Sequence, residues 1–247
     1  WKQWGAHFLK VYPSLSWPLQ RAVAMEARRQ GLPVVGHGTD VEEIVKSMNL
    51  GYSMLEHAIL PRAYDDVLQL LALAGTRWDP TLMAGGHALW LREQPERLVD
   101  AKFRAFNPDW VARTASEESP WGAIGEKELR RRLVAQLAAL GAAHGRGIQL
   151  QAGTDAPVFG ASLHWELELF VQAGIPPLEV LRIATQEAAA AVGAEDDLGT
   201  LERGKLADIV LLDANPLDDI RNTQTIWRVI KGGWLFDPEK LRPPTEK

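Results

Sequence analysis

A chain of 247 residues, with 46% apolar and 24% charged content, has the composition of one soluble globular domain or of one domain with an appendage. Its net charge of -5, with no cluster of lysine and arginine, provides no basic surface for nucleic acid. The absence of cysteine excludes disulfides, thiolate metal sites and cysteine nucleophiles. No apolar run reaches about eighteen residues, so we expect no membrane span; the compartment stays open, either cytoplasmic or exported.

The first two thirds of the chain alternate β-rich runs with segments of helical spacing. Five runs predict strands: AHFLKVY, LPVVGH, YSMLEHA, TRWDPTL and GIQLQAGTD. Helices are predicted in four intervening segments: WPLQRAVAMEARRQ, DVEEIVKSMN, PRAYDDVLQLLALA and EKELRRRLVAQLAALGAAHG. Asp40 is placed to cap the second helix, and a long polar stretch from Gly85 to Gly125 contains no predicted element. This alternation favours a parallel sheet with helices outside it.

The C-terminal part changes character. PPLEVLRIATQEAAAAVG predicts a helix that begins at prolines and ends at glycine. GTLERGKLADIVLLDANP and TIWRVIKGGWLF then predict short β runs separated by turn residues. We therefore predict two parts, an α/β part over residues 1–195 and a small β appendage over 196–247.

Residues able to bind a metal stand where predicted strands end. Lys10 ends the first run, His37 the second, His57 the third and Asp155 the fifth. In a parallel α/β barrel these ends meet on one face, where functional residues collect. Neutral imidazoles and carboxylates suit zinc and related divalent ions. A lysine ammonium has no lone pair, but a lysine carboxylated by carbon dioxide has two oxygens that could bridge two metals.

These motifs resemble the amidohydrolase superfamily, metal-dependent hydrolases on a distorted (β/α)8 TIM barrel, and most closely its imidazolonepropionase-like and prolidase-like branch. FLKVY resembles strand 4 of that family, PVVGH strand 5, LEHA strand 6 and AGTDAP strand 8. The resemblance implies an α/β fold made of part of that barrel, about strands 4–8, followed by part of a small β-sandwich. It implies Lys10 as the carboxylated, metal-bridging lysine, His37 and His57 as metal ligands, and Asp155 as metal ligand and proton shuttle.

The implied function is hydrolysis of an amide, peptide-like or cyclic amide C–N bond by metal-activated water. The implied cofactors are a divalent metal, two zinc ions or alternatively manganese, and carbon dioxide for the lysine. Tyr12 and His87 are candidates for contact with a small-molecule or dipeptide-like substrate. A deaminase is the alternative reaction, although the strand 4 lysine favours the binuclear hydrolases. A homo-oligomer stays open.

Two departures from the family qualify this interpretation. None of the six histidines forms the His-x-His pair of strand 1, and Thr39 stands where many relatives have a second histidine. We expect strands 1–3 to precede Trp1, in an N-terminal fragment or chain of the same protein. The alternative is a non-catalytic fragment, or a half-enzyme that needs a separate N-terminal chain to supply His-x-His. Taken one by one, the residues also have structural interpretations: Lys10 as a surface residue, His37 and His57 as hydrogen-bonded rim residues without metal, and Asp155 as a helix N-cap or turn residue.

Overall fold

Four short parallel strands form the first sheet, in the order β1-β2-β3-β4. The structure is a computed structural model that describes residues 2–38, 40–57, 64–99, 103–104, 107, 125–156, 158 and 160–241. The strands are β1 Leu9–Val11, β2 Val34–His37, β3 Met54–Glu56 and β4 Arg77–Asp79. All four were predicted from their apolar runs, and their parallel pairing confirms the α/β class.

The predicted fifth strand is reduced to a single parallel bridge between Leu150 and Trp78. Two backbone hydrogen bonds support the bridge, from Trp78 to the carbonyl of Gln149 and from Gln151 to the carbonyl of Trp78. Beyond it, the N–H of Gly153 donates to the Asp79 carboxylate and not to a backbone carbonyl. The run therefore pairs with β4 as predicted, but a side chain replaces the next bond of the ladder.

Helices follow the strands and cover the sheet. Their bounds are α1 Trp17–Gln30, α2 Val41–Asn49, α3 Asp65–Ala74, α4 Leu82–Glu93, α5 Glu96–Val99, α6 Glu126–Gly145, α7 Ala161–Gln172, α8 Pro177–Arg182 and α9 Ala188–Ala191, with a π-helical segment, Ile183–Glu187, between the last two. Asp40 caps α2 as predicted, accepting a hydrogen bond of 2.8 Å from the N–H of Glu43. Gly31 ends α1 in the left-handed conformation, with φ of 66°.

The polar stretch that contained no predicted element holds α4 and α5. Two glycines near the start of α4 disfavour a helix by local propensity. A distant side chain compensates, because the Glu166 carboxylate in α7 accepts the N–H groups of Leu82 and Met83 at 2.8 Å each. Burial of the next turns, including Leu89 and Leu91, adds a hydrophobic contribution.

One hydrophobic core joins the sheet to its helices. Leu55 of β3, Leu140 of α6 and Phe170 of α7 are almost completely buried within it. Burial of side chains of this size stabilises a fold by about 1.5–3 kcal/mol each. This core holds the carboxyl ends of the strands in fixed positions.

The C-terminal part forms a second, antiparallel sheet in the order β5-β6-β7, with β5 Ile209–Leu212, β6 Ile226–Lys231 and β7 Trp234–Phe236. A 3-10 turn, Ile220–Gln224, packs on α7, where Ile220 enters the core and Thr223 hydrogen-bonds His164 at 3.0 Å. The predicted β appendage is thus present, whereas the boundary at residue 195 stays a prediction. Across the described ranges, no helix is long and apolar enough to cross a membrane.

Candidate functional site

The candidate site lies at the carboxyl ends of β1 to β4. In the parallel register His37 pairs with Glu56, and Glu56 pairs with Asp79. Residues paired in this way point to the same face of the sheet, so these three side chains share one face. Lys10 pairs with Val35, two residues before His37, and because side chains alternate along a strand it lies on that face as well. The strand geometry therefore gathers polar side chains from four neighbouring strands.

A chain of contacts connects the residues predicted from the sequence. The Lys10 ammonium lies 5.7 Å from the centre of the Tyr12 ring, and that ring lies 4.9 Å from the His37 imidazole. The His37 and His57 rings are 4.4 Å apart, centre to centre. Nδ1 of His57 lies 3.9 Å from Oδ2 of Asp155. Each of the five predicted residues therefore lies close to at least one other predicted residue.

Accessibility differs along this chain of contacts. The Asp155 side chain is 65% exposed and that of His57 only 12% exposed, so the aspartate faces solvent beside a buried imidazole. Tyr12 is 53% exposed and can meet a ligand that enters from solvent. His87 lies within α4, but its side chain is outside the described residues, as is Thr39.

Burial favours the neutral form of both imidazoles. Burial lowers the pKa of His57 to about 4, with smaller contributions from His37 and the Lys10 charge. The pKa of His37 is also lowered, first by burial and then by Lys10. Nδ1 of His57 shares a hydrogen bond of 2.8 Å with Oγ1 of Thr81, while Nε2 of His37 is buried and has no hydrogen-bond partner. Neutral imidazoles with a free lone pair suit a metal ion.

Two carboxyl groups, Glu56 mostly covered and Asp79 buried, belong to the site and were missed by the sequence reasoning. Glu56 lies 3.8 Å from the Lys10 ammonium, and burial together with the Asp79 carboxylate raises its pKa to about 7. Burial likewise raises the pKa of Asp79 to about 6, although hydrogen bonds from the backbone N–H groups of Gly153 and Thr81 oppose this. Both positions carried a usable signal, since Asp79 ends its strand and Glu56 directly precedes His57 in LEHA.

The backbone of the site is strained. Among the described residues, positive φ outside glycine occurs at His57, Thr81 and Asp155, with angles of 75°, 42° and 43°. Such conformations cost about 1–3 kcal/mol each and persist where surrounding structure imposes them, often at functional sites. All three follow strand ends that face the same rim, so the strain marks the place where the predicted residues meet.

The site offers two imidazoles for a metal but not a complete ligand set of ordinary side chains. In the part of the chain that the structure describes, no three His, Asp or Glu side chains are grouped so that they could hold a metal ion. As a free amine, Lys10 pairs with Glu56 and contributes no ligand oxygen.

Comparison with known proteins gives consistent similarities. Residues 11–235 match the model of the Amidohydrolase family. The chain is 28% identical over 229 residues to the ochratoxinase of Aspergillus niger, covering 90% of this chain and 42% of that protein. It superposes with a TM-score of 0.70 on a Xaa-Pro dipeptidase with bound methionine, at 25% identity over 96% of this chain and 56% of the other.

A prolidase-type structure from Bifidobacterium longum has the same fold, with a TM-score of 0.70 and 24% identity over all of this chain and 58% of its own. These neighbours support a TIM-barrel-like α/β fold. The chain spans about half the length of the relatives it matches, 42% of the ochratoxinase and 56% of the dipeptidase.

Proposed function

Because the chain belongs to the amidohydrolase family, we propose that it provides the active-site strands of a metal-dependent hydrolase that cleaves an amide or peptide-like C–N bond. The observation that carries this proposal is the contact chain from Lys10 and Tyr12 through His37 and His57 to Asp155. It runs across the carboxyl ends of β1 to β3 to the segment that follows the Leu150 bridge. Similarity to a Xaa-Pro dipeptidase over 96% of this chain favours a dipeptide-like substrate over a deaminase substrate.

His37 and His57 would hold the metal, together with Lys10 as a carbamate. Support comes from the neutral state of both imidazoles and from the unpartnered Nε2 of His37. Zinc is the ion that this donor set suits best, with manganese as the alternative. When bound there, a zinc ion would supply Lewis-acid chemistry, polarising a carbonyl oxygen and lowering the pKa of bound water to about 7.

Asp155 would carry the proton. Its carboxylate is exposed and lies beside His57, so Oδ2 can accept a proton from the attacking water and then deliver it to the leaving nitrogen. Tyr12 is half exposed and its ring lies tilted beside that of His37, so it would contact the substrate; we keep His87 as a second candidate for that role.

The fold we propose is about five strands of a distorted (β/α)8 barrel, namely β1 to β4 and the run around Leu150. Part of a β-sandwich, built from β5 to β7, follows them. The parallel order of β1 to β4 and the bridge from Trp78 to Leu150 support the proposal that these are consecutive strands of a barrel. We retain 1–195 and 196–247 as the extents of the two parts. Further polypeptide of the same protein would complete the barrel and the metal ligands.

The test combines metal content with hydrolysis. Purified protein is analysed by metal mass spectrometry and assayed with a panel of N-acyl amino acids and Xaa-Pro dipeptides, before and after chelation. We expect bound zinc, loss of hydrolysis on chelation, and loss of both in the double variant His37→Ala/His57→Ala. His7→Ala, at an exposed histidine, is the control and should retain both. Hydrolysis that is unaffected by chelation and by the double substitution would contradict the proposal.

A further inference from the structure

Asp79 touches every strained turn of the site. Its backbone carbonyl accepts the N–H of His57 at 2.8 Å. Its carboxylate accepts the N–H of Gly153 at 2.9 Å, two residues before Asp155, and also the backbone N–H of Thr81. One buried residue at the end of β4 therefore bonds to the backbone at or beside all three positions that have positive φ.

Thr81, whose backbone bonds to Asp79, also contacts the His57 imidazole through its side chain. Its Oγ1 lies 2.8 Å from Nδ1 of His57, and the indole N–H of Trp78 donates to the His57 carbonyl at 2.9 Å. Because Nδ1 is occupied by the hydroxyl, Nε2 is the nitrogen of His57 left to face a ligand. The rotation of the His57 ring thus depends on where the Thr81 backbone is held.

The contact with Gly153 has no room for a side chain. A Cβ atom at Gly153 would overlap the Asp79 carboxylate, so glycine is required where the two meet. The carboxylate also replaces the next carbonyl of the β ladder, beyond the bridge from Trp78 to Leu150. Asp79 thereby fixes the direction in which the chain leaves the strand toward Asp155.

We propose that Asp79 is a positioning residue that holds His57 and Asp155 in their strained, functional orientations. The roles of His57 and Asp155 rest on the proposed function, but the backbone role of Asp79 does not. Loss of the carboxylate frees the Gly153 and Thr81 amides, and the strained turns relax toward ordinary φ values.

The experiment compares Asp79→Ala and Asp79→Asn with Glu168→Gln in the purified protein. Glu168 is the matched control, because it is also a buried carboxylate but pairs with Arg97 away from the strand ends. In Asp79→Ala we expect the Gly153 and Thr81 amides to exchange hydrogen about tenfold faster, with α6 unchanged. Zinc, titrated against a chromogenic chelator, should bind about 10–100-fold more weakly.

Asparagine keeps one acceptor oxygen, so Asp79→Asn should be intermediate in both measurements and also covers the case in which Asp79→Ala does not fold. Gly153→Ala should also speed hydrogen exchange at the backbone amides of residues 153 and 81. Combining Gly153→Ala with Asp79→Asn should increase the exchange rates little beyond those of Gly153→Ala alone. Wild-type exchange at Gly153 and Thr81 in the Asp79 variants, or an equal change in Glu168→Gln, would overturn the inference. A wild-type protein that binds no zinc would count against the proposed function alone, and the exchange data would still decide the role of Asp79.

Discussion

Asp155 has an exposed carboxylate and a left-handed backbone conformation. Asparagine can adopt that backbone conformation, but its amide cannot replace the carboxylate as a base. Asparagine tolerates φ near the observed 43°, so Asp155→Asn should fold with an unchanged melting temperature. The amide has almost no basicity, and we expect turnover to fall by about 10²–10⁴-fold, with a smaller effect on substrate binding. Turnover, metal content and melting temperature are measured beside Asp196→Asn at an exposed surface position. Turnover within a few-fold of wild type would exclude the shuttle role.

Lys10 is the second residue whose role can be isolated. If it acts as a carbamate, Lys10→Ala should lose both metal and hydrolysis, and added short carboxylates should partly restore them. Lys10→Arg should not restore either, because a guanidinium stays protonated and is not carboxylated. The control is Lys46→Ala, since Lys46 pairs with Glu42 on the surface of α2. Unchanged metal content in Lys10→Ala would show that the lysine serves only its ion pair with Glu56.

At the scale of elements, α4 depends on a carboxylate from another helix. Glu166→Ala leaves the buried N–H groups of Leu82 and Met83 without an acceptor, and we expect a free energy of unfolding lower by about 2–4 kcal/mol. Urea unfolding measures this change. Glu126→Ala, at the exposed first turn of α6, should lose less than about 1 kcal/mol. Equal losses in the two variants would mean that the cap contributes nothing special to α4.

The contact between α7 and the C-terminal part predicts a pH effect. Burial lowers the pKa of His164 below its ordinary 6.5, so the unfolded state binds more protons than the folded state at acidic pH. Stability from the neutral imidazole is therefore complete above 6.5 and declines as pH falls below it. His164→Asn keeps a polar atom near Thr223 without titrating, so its free energy of unfolding should fall less between about pH 7.5 and about pH 5 than that of the wild type. Urea titrations test this, with His7→Asn as control; parallel curves for wild type and His164→Asn would refute it.

At the scale of the whole molecule, the parallel sheet has an open edge. Within the described residues, β1 pairs with β2 on one side and with no strand on the other. Such an edge presents unpaired N–H and C=O groups to any available strand. We therefore expect the active species to contain polypeptide beyond these 247 residues that covers this edge. Size-exclusion chromatography with intact mass spectrometry of active material tests this, and an active species built from this chain alone would contradict it.

Local pattern was sufficient for most elements and for the strand-end residues. Apolar runs located β1 to β4, helical spacing located α1 to α3 and α6, and Asp40 capped α2 as predicted. These features depend on neighbours within a few residues, which the order of amino acids states directly. The same reasoning placed Lys10, His37 and His57 at or near strand ends, and parallel pairing brings such ends together. Asp155 was expected to end the fifth strand, but it lies beyond the single bridge at Leu150 that remains of that strand.

Tertiary contacts decided the features that no short stretch of the sequence can specify. Asp79 and Gly153 are 74 residues apart, and Glu166 is 84 residues from the N–H of Leu82, yet these contacts shorten the fifth strand and stabilise α4. The raised pKa of Glu56 and the lowered pKa of His57 arise from burial, which depends on which distant side chains cover them. The sequence by itself therefore determined the family, the positions of four strands and the types of residue at or near their carboxyl ends. Only packing decided how those residues are oriented and charged, because hydrogen-bond geometry and desolvation are properties of neighbours in space and not along the chain.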